Sequence, residues 1–358
     1  TSPEYQSINW MATVDWMTPP FLEAATPLSH RVLLERYCVV MIYNTMDGPN
    51  WADQLDFLSP DLPTCMWQNQ RPGTAFRGIF CDPTGAVLEV ILLDNGLSGS
   101  IPEELYHLSS ARAVVLANNT ISGTISTGIG NMRELLAFFA CPSLMKGTIP
   151  SEVGLLKQLN NFYVNDCMMI GTIPTEMGTL PLLKDLIVHG NQLTGPIPSE
   201  LGQLPNLVAL VLYENELTGT VPTEMVELQD KLRFFEFHFN LITGSLDPIL
   251  CEDFSMFASL QRIMTDCTGS TLDGTLVSPT ACSCCTICCN PFTRICEQRD
   301  EITQPQCFNG GCLDCNQTNL VDSCDQCPFV DENENLVDKP TDTSTQLCLN
   351  ACQFNETS

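Results

Sequence analysis

Hydrophobic residues recur through the middle of the chain in units of 24 residues. Each unit contains a short motif that most often reads Gly-x-Ile-Pro, as in Gly171-Thr-Ile-Pro174. Its glycines are Gly99, Gly123, Gly147, Gly171, Gly195 and Gly219, with weaker copies at Gly244 and Gly274. A motif repeated at such a period predicts a solenoid, in which each unit forms one coil and adjacent coils bury a continuous core.

Apolar residues occupy positions 0, 3, 5 and 10 of each unit, counted from its first leucine, and asparagine occupies position 8. The clearest copy is Leu207, Leu210, Leu212, Asn215 and Leu217. Alternate residues of a strand point to the same side, so positions 3 and 5 are predicted to face the core and positions 4 and 6 to face outward. We expect the buried asparagines to bond backbone groups of adjacent coils as a ladder. Its members are Asn95, Asn119, Asn191, Asn215 and Asn240, and Ser143 and Cys167 interrupt it.

The N-terminal region differs from the repeats. Residues 28–46 carry apolar side chains on one face of a predicted helix, which ends before the Asp47-Gly48 turn and would cap the array. Residues 1–27 carry little charge and contain Trp10, Trp16, Met17 and Phe21, which are expected to pack against this cap or against a partner.

Composition indicates an extracellular protein. Twenty cysteines suggest disulfides formed in an oxidising compartment. The start at Thr1 is what removal of a signal peptide would leave, and a segment cut from a longer protein would look the same. No apolar stretch is long enough to span a membrane, so this segment is not expected to insert into one. A net charge of -27 argues against nucleic acid and anionic membranes as partners and favours basic, neutral or calcium-bridged ones.

The Leu-x-Gly-x-Ile-Pro signature over residues 85–250 resembles plant-type leucine-rich repeats of receptor-like kinase ectodomains and polygalacturonase inhibitors. The resemblance implies an α/β solenoid with a right-handed superhelix and a parallel sheet on its concave face. It also implies a second short strand around Gly-x-Ile-Pro, 3₁₀ turns on the convex side, and a helical cap closed by a Cys65–Cys81 disulfide. The Cys282-Ser-Cys-Cys-Thr-Ile-Cys-Cys289 segment, with Asp266-Cys267, is similar to the C-terminal region of secreted leucine-rich-repeat proteins from diatoms and other stramenopiles.

Four regions follow from these patterns. Residues 1–84 form an N-terminal segment and helical disulfide cap, and residues 85–250 form the repeats. Residues 251–296 are predicted to be a cysteine-rich C-terminal cap, and residues 297–358 an acidic cysteine-rich tail module.

Metal sites and catalysis find little support in the sequence. Two Cys-x-x-Cys pairs, Cys312 with Cys315 and Cys324 with Cys327, have the form of zinc knuckles, but disulfides are preferred in so cysteine-rich a chain. A calcium loop beginning at Asp331 lacks the required glycine, since Leu336 replaces it. No histidine lies in a catalytic motif, so we expect no enzyme activity, no metal and no cofactor.

The outward positions of the predicted strands are the candidate partner-binding site, because packing within the solenoid does not fix them. An exposed apolar and aromatic stripe of this kind is typical of interfaces. The candidates are Phe139, Tyr163, Ile187, His189, Val211, Tyr213, Glu214, Phe234, Glu236, His238 and Phe239. His189, Tyr213 and His238 share position 6 and are expected to form one column. Whether Cys141 pairs with Cys167 stays open, because their positions point in opposite directions.

The sequence therefore predicts an extracellular, non-catalytic recognition module that binds a protein, peptide or cell-wall glycan through the concave face. The alternative is a structural glycoprotein that assembles with itself or other chains into a matrix, filament or appendage. Sequons at Asn118, Asn316 and Asn355 predict N-glycans. A glycan on Asn118 would obstruct the N-terminal half of the face, which favours binding by the C-terminal coils.

Overall fold

The computed structural model describes residues 2–15, 27–69, 76–228, 230–246, 261–266, 280–281, 287–289 and 296–298. These residues belong to the first of two compact units, residues 1–299; the second, residues 300–358, lies outside the described residues. Apart from residues 297 and 298, the predicted acidic tail, with Asn316, Asn355 and the Cys-x-x-Cys pairs, therefore also lies outside them.

The described N-terminal residues form two α-helices that cap the array, α1 (Pro3–Thr13) and α2 (Pro27–Thr45). Helix α2 begins and ends within one residue of its predicted bounds. Asp47 then adopts a left-handed conformation with φ of 60°, which turns the chain away from the helix. Of the aromatic residues before α2, Trp10 packs against the cap with its ring 6.0 Å from Trp67; Trp16 and Phe21 lie outside the described residues.

A buried ion pair fixes the cap. The Arg36 guanidinium donates two hydrogen bonds of 2.7 Å to the Asp15 carboxylate, and both side chains are almost fully buried. Arg36 also lies 4.5 Å from the ring centroid of Trp67 and donates to Thr64 Oγ1. Because an unpaired charge is costly to bury, this pair holds the chain after α1 against α2.

Twelve strands form the concave sheet, in which the strands from β3 to β20 run parallel and the strands at both ends are antiparallel. Its strands are β1 (Gln68–Asn69), β2 (Arg77–Cys81), β3 (Val87–Ile91), β5 (Ala113–Val115), β7 (Ala137–Phe139), β9 (Asn161–Tyr163), β11 (Asp185–Ile187), β13 (Ala209–Val211), β15 (Phe234–Glu236), β18 (Arg262–Asp266), β20 (Ile287–Cys289) and β21 (Cys296–Gln298). The antiparallel β1 and β2 cover one edge of the parallel array, which blocks further strand pairing there.

Seven short parallel strands form the second sheet. They are β4 (Ser98–Ser100), β6 (Thr120–Gly123), β8 (Leu144–Gly147), β10 (Met168–Gly171), β12 (Gln192–Gly195), β14 (Glu216–Gly219) and β16 (Leu241–Ile242). The second strand expected around Gly-x-Ile-Pro is thus present, and five of these strands end at the motif glycine, just before the Ile-Pro. The reason is that the glycine has positive φ, 79° at Gly171, which turns the chain out of the strand. Strands β17 (Gly244–Ser245) and β19 (Thr280–Ala281) form a separate two-stranded parallel sheet.

Short 3₁₀ helices follow the Ile-Pro segments, as the resemblance implies. They span Glu103–His107, Thr127–Asn131, Ser151–Leu155, Thr175–Thr179, Ser199–Gln203 and Thr223–Leu228; two more lie in the cap, Gly48–Asn50 and Thr64–Met66. The leucines of positions 0, 3, 5 and 10 are buried between these helices and the two sheets, as in the coil from Leu207 to Leu217.

The asparagine ladder is present. Asn119 Nδ2 donates to the Leu92 and Leu116 carbonyl oxygens, and its Oδ1 accepts from the Leu97 amide. Asn191, Asn215 and Asn240 bridge adjacent coils in the same way. Each asparagine thus satisfies backbone groups that the turn leaves without strand partners.

Within the described residues there are two disulfides, Cys65–Cys81 in the cap and Cys141–Cys167 between adjacent coils. The second was open from sequence, but the Cα atoms of its cysteines are 6.0 Å apart, within disulfide range. Cys38 is a buried free thiol, and burial, followed by the charges of Glu104 and Glu35, raises its pKa to about 12. The chain has twenty cysteines, so a free Cys38 leaves nineteen, an odd number. These cannot all pair with one another, and at least one more cysteine is therefore free or bonded to another chain.

Candidate functional site

The concave sheet aligns the candidate residues of position 4 at the ends of neighbouring strands, and those of position 6 lie two residues beyond the strand ends. Register pairs Ile187 with both Tyr163 and Val211, and Val211 with Glu236. Position 4 therefore forms one continuous row across four coils, and position 6 forms a second row beside it.

The predicted column at position 6 is present. The ring of Tyr213 stacks between those of His189 and His238, with centroid distances of 4.2 and 4.6 Å and interplanar angles of 11° and 16°. Phe239 contacts the far side of His238 edge-on, at 4.8 Å. Both faces of the tyrosine ring are thus covered, which leaves its edge for other contacts.

Exposure at these positions is lower than the sequence suggested. His189, Glu236 and His238 are only 8%, 8% and 5% exposed, and the other candidates are partly buried. The physical reason is stacking: strands about 4.8 Å apart place equivalent rings face to face, so each ring covers its neighbours. The candidate site is a packed aromatic surface rather than a row of freely solvated side chains.

A second cluster lies nearer the middle of the sheet. The rings of Phe139 and Tyr163 stack at 4.3 Å. Tyr163 Oη donates to Asp185 Oδ2 at 3.0 Å, and Asn161 Nδ2 donates to the same oxygen at 2.6 Å. Burial raises the pKa of Asp185, and these two hydrogen bonds only partly offset it.

Asp185 and Asn161 occupy position 2 of their coils and were not among the predicted site residues, although Phe234 at the same position was. Position 2 lies on the same side of the strand as positions 4 and 6. A polar residue at position 2 next to an aromatic residue at position 4, such as Asn161 next to Tyr163, could therefore have indicated this cluster from the sequence. Arg262 was also missed, because its coil lies beyond the regular repeats. Its Nη1 lies 3.1 Å from Glu236 Oε1.

The outer face of the second sheet presents two rows of hydroxyl groups, one on each side of the motif glycine. Position 13 supplies an exposed row interrupted at Pro196: Ser100, Thr124, Thr148, Thr172, Thr220 and Ser245. Position 11 supplies Ser98, Ser122, Thr194, Thr218 and Thr243, interrupted at Lys146 and Ile170. Beside these rows Leu144, Met168 and Ile170 are 53%, 41% and 47% exposed.

Glycine sets the orientation of the position 13 threonines. A Cβ added to Gly171 would lie only 2.8 Å from the γ-methyl of Thr148, and Gly147 has the same relation to Thr124. Each threonine methyl therefore lies over the glycine of the next coil, where no other residue would fit without displacement. The side chains of this row are held in one repeated arrangement.

Other predicted features have a definite place. Asn118 is exposed at position 7, with φ of 56°. In the described part of the chain, no group of three His, Cys, Asp or Glu side chains is arranged to hold a metal ion. Neither described helix is long and apolar enough to cross a membrane.

Comparison with known proteins identifies the fold. The Leucine Rich Repeat family model matches residues 182–204. No curated protein sequence matches the chain significantly.

Solved structures match over most of the solenoid. A plant ice-binding protein is 22% identical over 69% of this chain and 71% of that chain, with a TM-score of 0.54. The ectodomain of the Arabidopsis receptor kinase HAESA, solved with an N-terminally extended IDA peptide hormone, is 26% identical over 68% of this chain, also with a TM-score of 0.54. The match spans only 38% of that receptor chain. Disulfides such as Cys65–Cys81 are typical of extracellular proteins, and the matching receptor structure is an ectodomain.

Proposed function

We propose that the chain, which is similar to leucine-rich-repeat proteins in sequence and fold, is an extracellular, non-catalytic recognition module whose ligand binds the concave sheet between Phe139 and Phe239. The observation that carries the proposal is the packed aromatic surface, with Tyr213 clamped between two histidines. Rigid aromatic rings beside hydrogen-bonding groups are typical of binding hot spots. The HAESA ectodomain, which was solved with a peptide hormone, supports a peptide or protein ligand.

The test uses the purified chain against synthetic peptides, proteins and cell-wall glycans, with binding followed by interferometry. Tyr163→Ala and Tyr213→Ala should each weaken binding of the selected ligand by about 1 to 3 kcal/mol. Thr218→Ala, on the second sheet, is the matched control and should leave affinity unchanged. Binding that survives both tyrosine substitutions would place the site elsewhere.

Self-assembly is the alternative, and light scattering after size exclusion distinguishes it. A monomer of 39.5 kDa is expected for a recognition module. Oligomers that dissociate on Tyr213→Ala would instead make the aromatic surface an assembly contact. Intact mass before and after amidase treatment tests the three sequons in the same material, and an occupied Asn118 would confine ligands to the C-terminal coils.

The second sheet favours a second candidate function, attachment to an ice surface. The likeness to a plant ice-binding protein shows the fold alone; the observation in favour is the pair of hydroxyl rows. Strands about 4.8 Å apart repeat hydroxyl and methyl groups at a fixed interval. Such a flat array, with one charged interruption at Lys146, can order a layer of water molecules in a lattice.

Ice recrystallisation and thermal hysteresis test this candidate. Thr148→Tyr and Thr172→Tyr place bulky rings in the row and should abolish both effects, while Tyr163→Ala on the concave sheet should leave them unchanged. An unsubstituted chain that neither inhibits recrystallisation nor produces hysteresis would refute the candidate.

A further inference from the structure

The part of the concave sheet around Tyr213 carries three carboxylates: Asp166 beside the stacked His189, Glu214 next in the chain, and Glu236 on the neighbouring strand. Burial raises the pKa of Tyr213, and the negative charges of Asp166, Glu236 and Glu214 raise it further. Arg262 acts in the opposite direction, and its guanidinium already contacts Glu236. The edge of this clamped ring therefore lies in a region of negative potential.

Asp166 keeps its charge in this setting. Burial alone would raise its pKa, but the interactions with His189 and Asn165 outweigh burial and hold the pKa of Asp166 below its ordinary value. Asn165 Nδ2 donates to Asp166 Oδ2 at 2.7 Å, and Asp166 remains partly open to solvent. An ionised, accessible carboxylate is available to an incoming cation.

His189, on the next coil, lies beside Asp166. His189 is 8% exposed, and its Nδ1 lies 3.5 Å from Asp166 Oδ1, where a protonated ring forms an ion pair with that carboxylate. The Asp166 side chain, in contrast, is 45% exposed, so its carboxylate remains open to a further partner on the solvent side.

We infer that a peptide ligand places an arginine or lysine side chain against Tyr213, with its cationic end between Asp166 and Glu214. The inference rests on the proposed recognition function and specifies its ligand class. The aliphatic stem of such a side chain suits the adjacent apolar row of Ile187 and Val211, and its charge complements the carboxylates. The faces of Tyr213 are covered by histidines, so the cation contacts the ring edge and the carboxylates rather than stacking on the ring.

The experiment compares synthetic peptide libraries that share one sequence design and differ only at a central residue, which is arginine, lysine or neutral citrulline. The chain should retain the arginine and lysine peptides, and binding should fall as salt rises. Asp166→Asn with Glu214→Gln should weaken the selected peptide by about tenfold or more. Glu214→Gln alone should already weaken binding, and Glu216→Gln is its matched control, because it removes one charge two residues away on the second sheet and should change nothing.

The contrary results distinguish failure of the cation inference from failure of the proposed function. Citrulline peptides that bind as well as arginine peptides, and still lose affinity on Tyr213→Ala, would overturn the cation while concave recognition stands. Peptides indifferent to Tyr213→Ala would overturn the proposed function itself. Calorimetry with calcium chloride alone forms the last arm: binding abolished by the Asp166 and Glu214 substitutions would assign the carboxylates to a metal and overturn the inference. Circular dichroism melts confirm that every variant is folded.

Discussion

The concave sheet and the second sheet rest on one core but fill their outward positions differently. On the concave sheet position 6 changes from Ala117 to Asn165, His189 and Tyr213 along the coils. On the second sheet position 13 remains serine or threonine in all coils except at Pro196. A surface that differs from coil to coil suits one specific ligand, whereas a repeated surface suits the packing of identical coils or a repeating lattice.

The difference extends to how the side chains are held. Concave side chains contact their neighbours through rings and hydrogen bonds, as in the stack at Tyr213. Second-sheet threonines instead lie over glycines, as Thr148 lies over Gly171. Substitutions should therefore act through side-chain contacts on one sheet and through the backbone on the other.

The largest effect should come from the core that both sheets share. Leu210→Ala leaves a cavity beneath the concave strand and should lower the free energy of unfolding by about 2 to 5 kcal/mol, because Leu210 is fully buried. Urea denaturation measures it, with exposed Leu182→Ala as the control. A loss below about 1 kcal/mol would mean that the assignment of inward and outward positions is wrong.

The next effect concerns the glycines of the second sheet. Gly171→Ala should destabilise by about 2 to 3 kcal/mol, since it adds a Cβ at positive φ and 2.8 Å from the Thr148 methyl. Gly219→Ala is the matched control: its φ is similar, at 81°, but the nearest atom, Pro196 Cβ, is 3.7 Å away. Gly171→Ala should have a lower melting temperature than Gly219→Ala. Equal decreases in melting temperature would show that the contact with the Thr148 methyl has no effect.

Much of this architecture could be predicted from sequence, because the core positions repeat and the periodicity of α2 is local. The details of the site could not. The stacking that buries Tyr213 depends on the register between coils 24 or 25 residues apart, and the Asp15–Arg36 pair joins segments that no motif connects. The Cys141–Cys167 bond likewise depends on the placement of two particular turns.

A smaller effect is expected within the aromatic stack. Tyr213→Ala removes two ring contacts and should lower stability by roughly 1 to 2 kcal/mol, although an outward side chain would ordinarily have little influence. Tyr213→Phe keeps both contacts and should melt like the unsubstituted chain. If the alanine variant also melts unchanged, the rings are not packed in solution and the contrast with the second sheet disappears.

The smallest effect is a pH dependence specific to the concave sheet. Because burial raises the pKa of Asp185 above 3.8, the folded state favours the protonated carboxyl, and the stability that protonation gives is lost as pH rises through the folded pKa. Asp185→Asn resembles the protonated form and can still accept from Tyr163 and Asn161. Its melting temperature should therefore exceed that of the unsubstituted chain at neutral pH, by less than about 1 kcal/mol in stability, and approach it below pH 3.8.

Two variants sharpen this test. Tyr163→Phe removes a hydrogen bond to the carboxylate, so it should raise the pKa of Asp185 further and increase the loss of stability with pH. Glu216→Gln, on the exposed part of the second sheet, should follow the unsubstituted chain at every pH. An Asp185→Asn variant less stable than the unsubstituted chain at neutral pH would show that the ionised carboxylate is favoured in the fold, contrary to the effect of its burial.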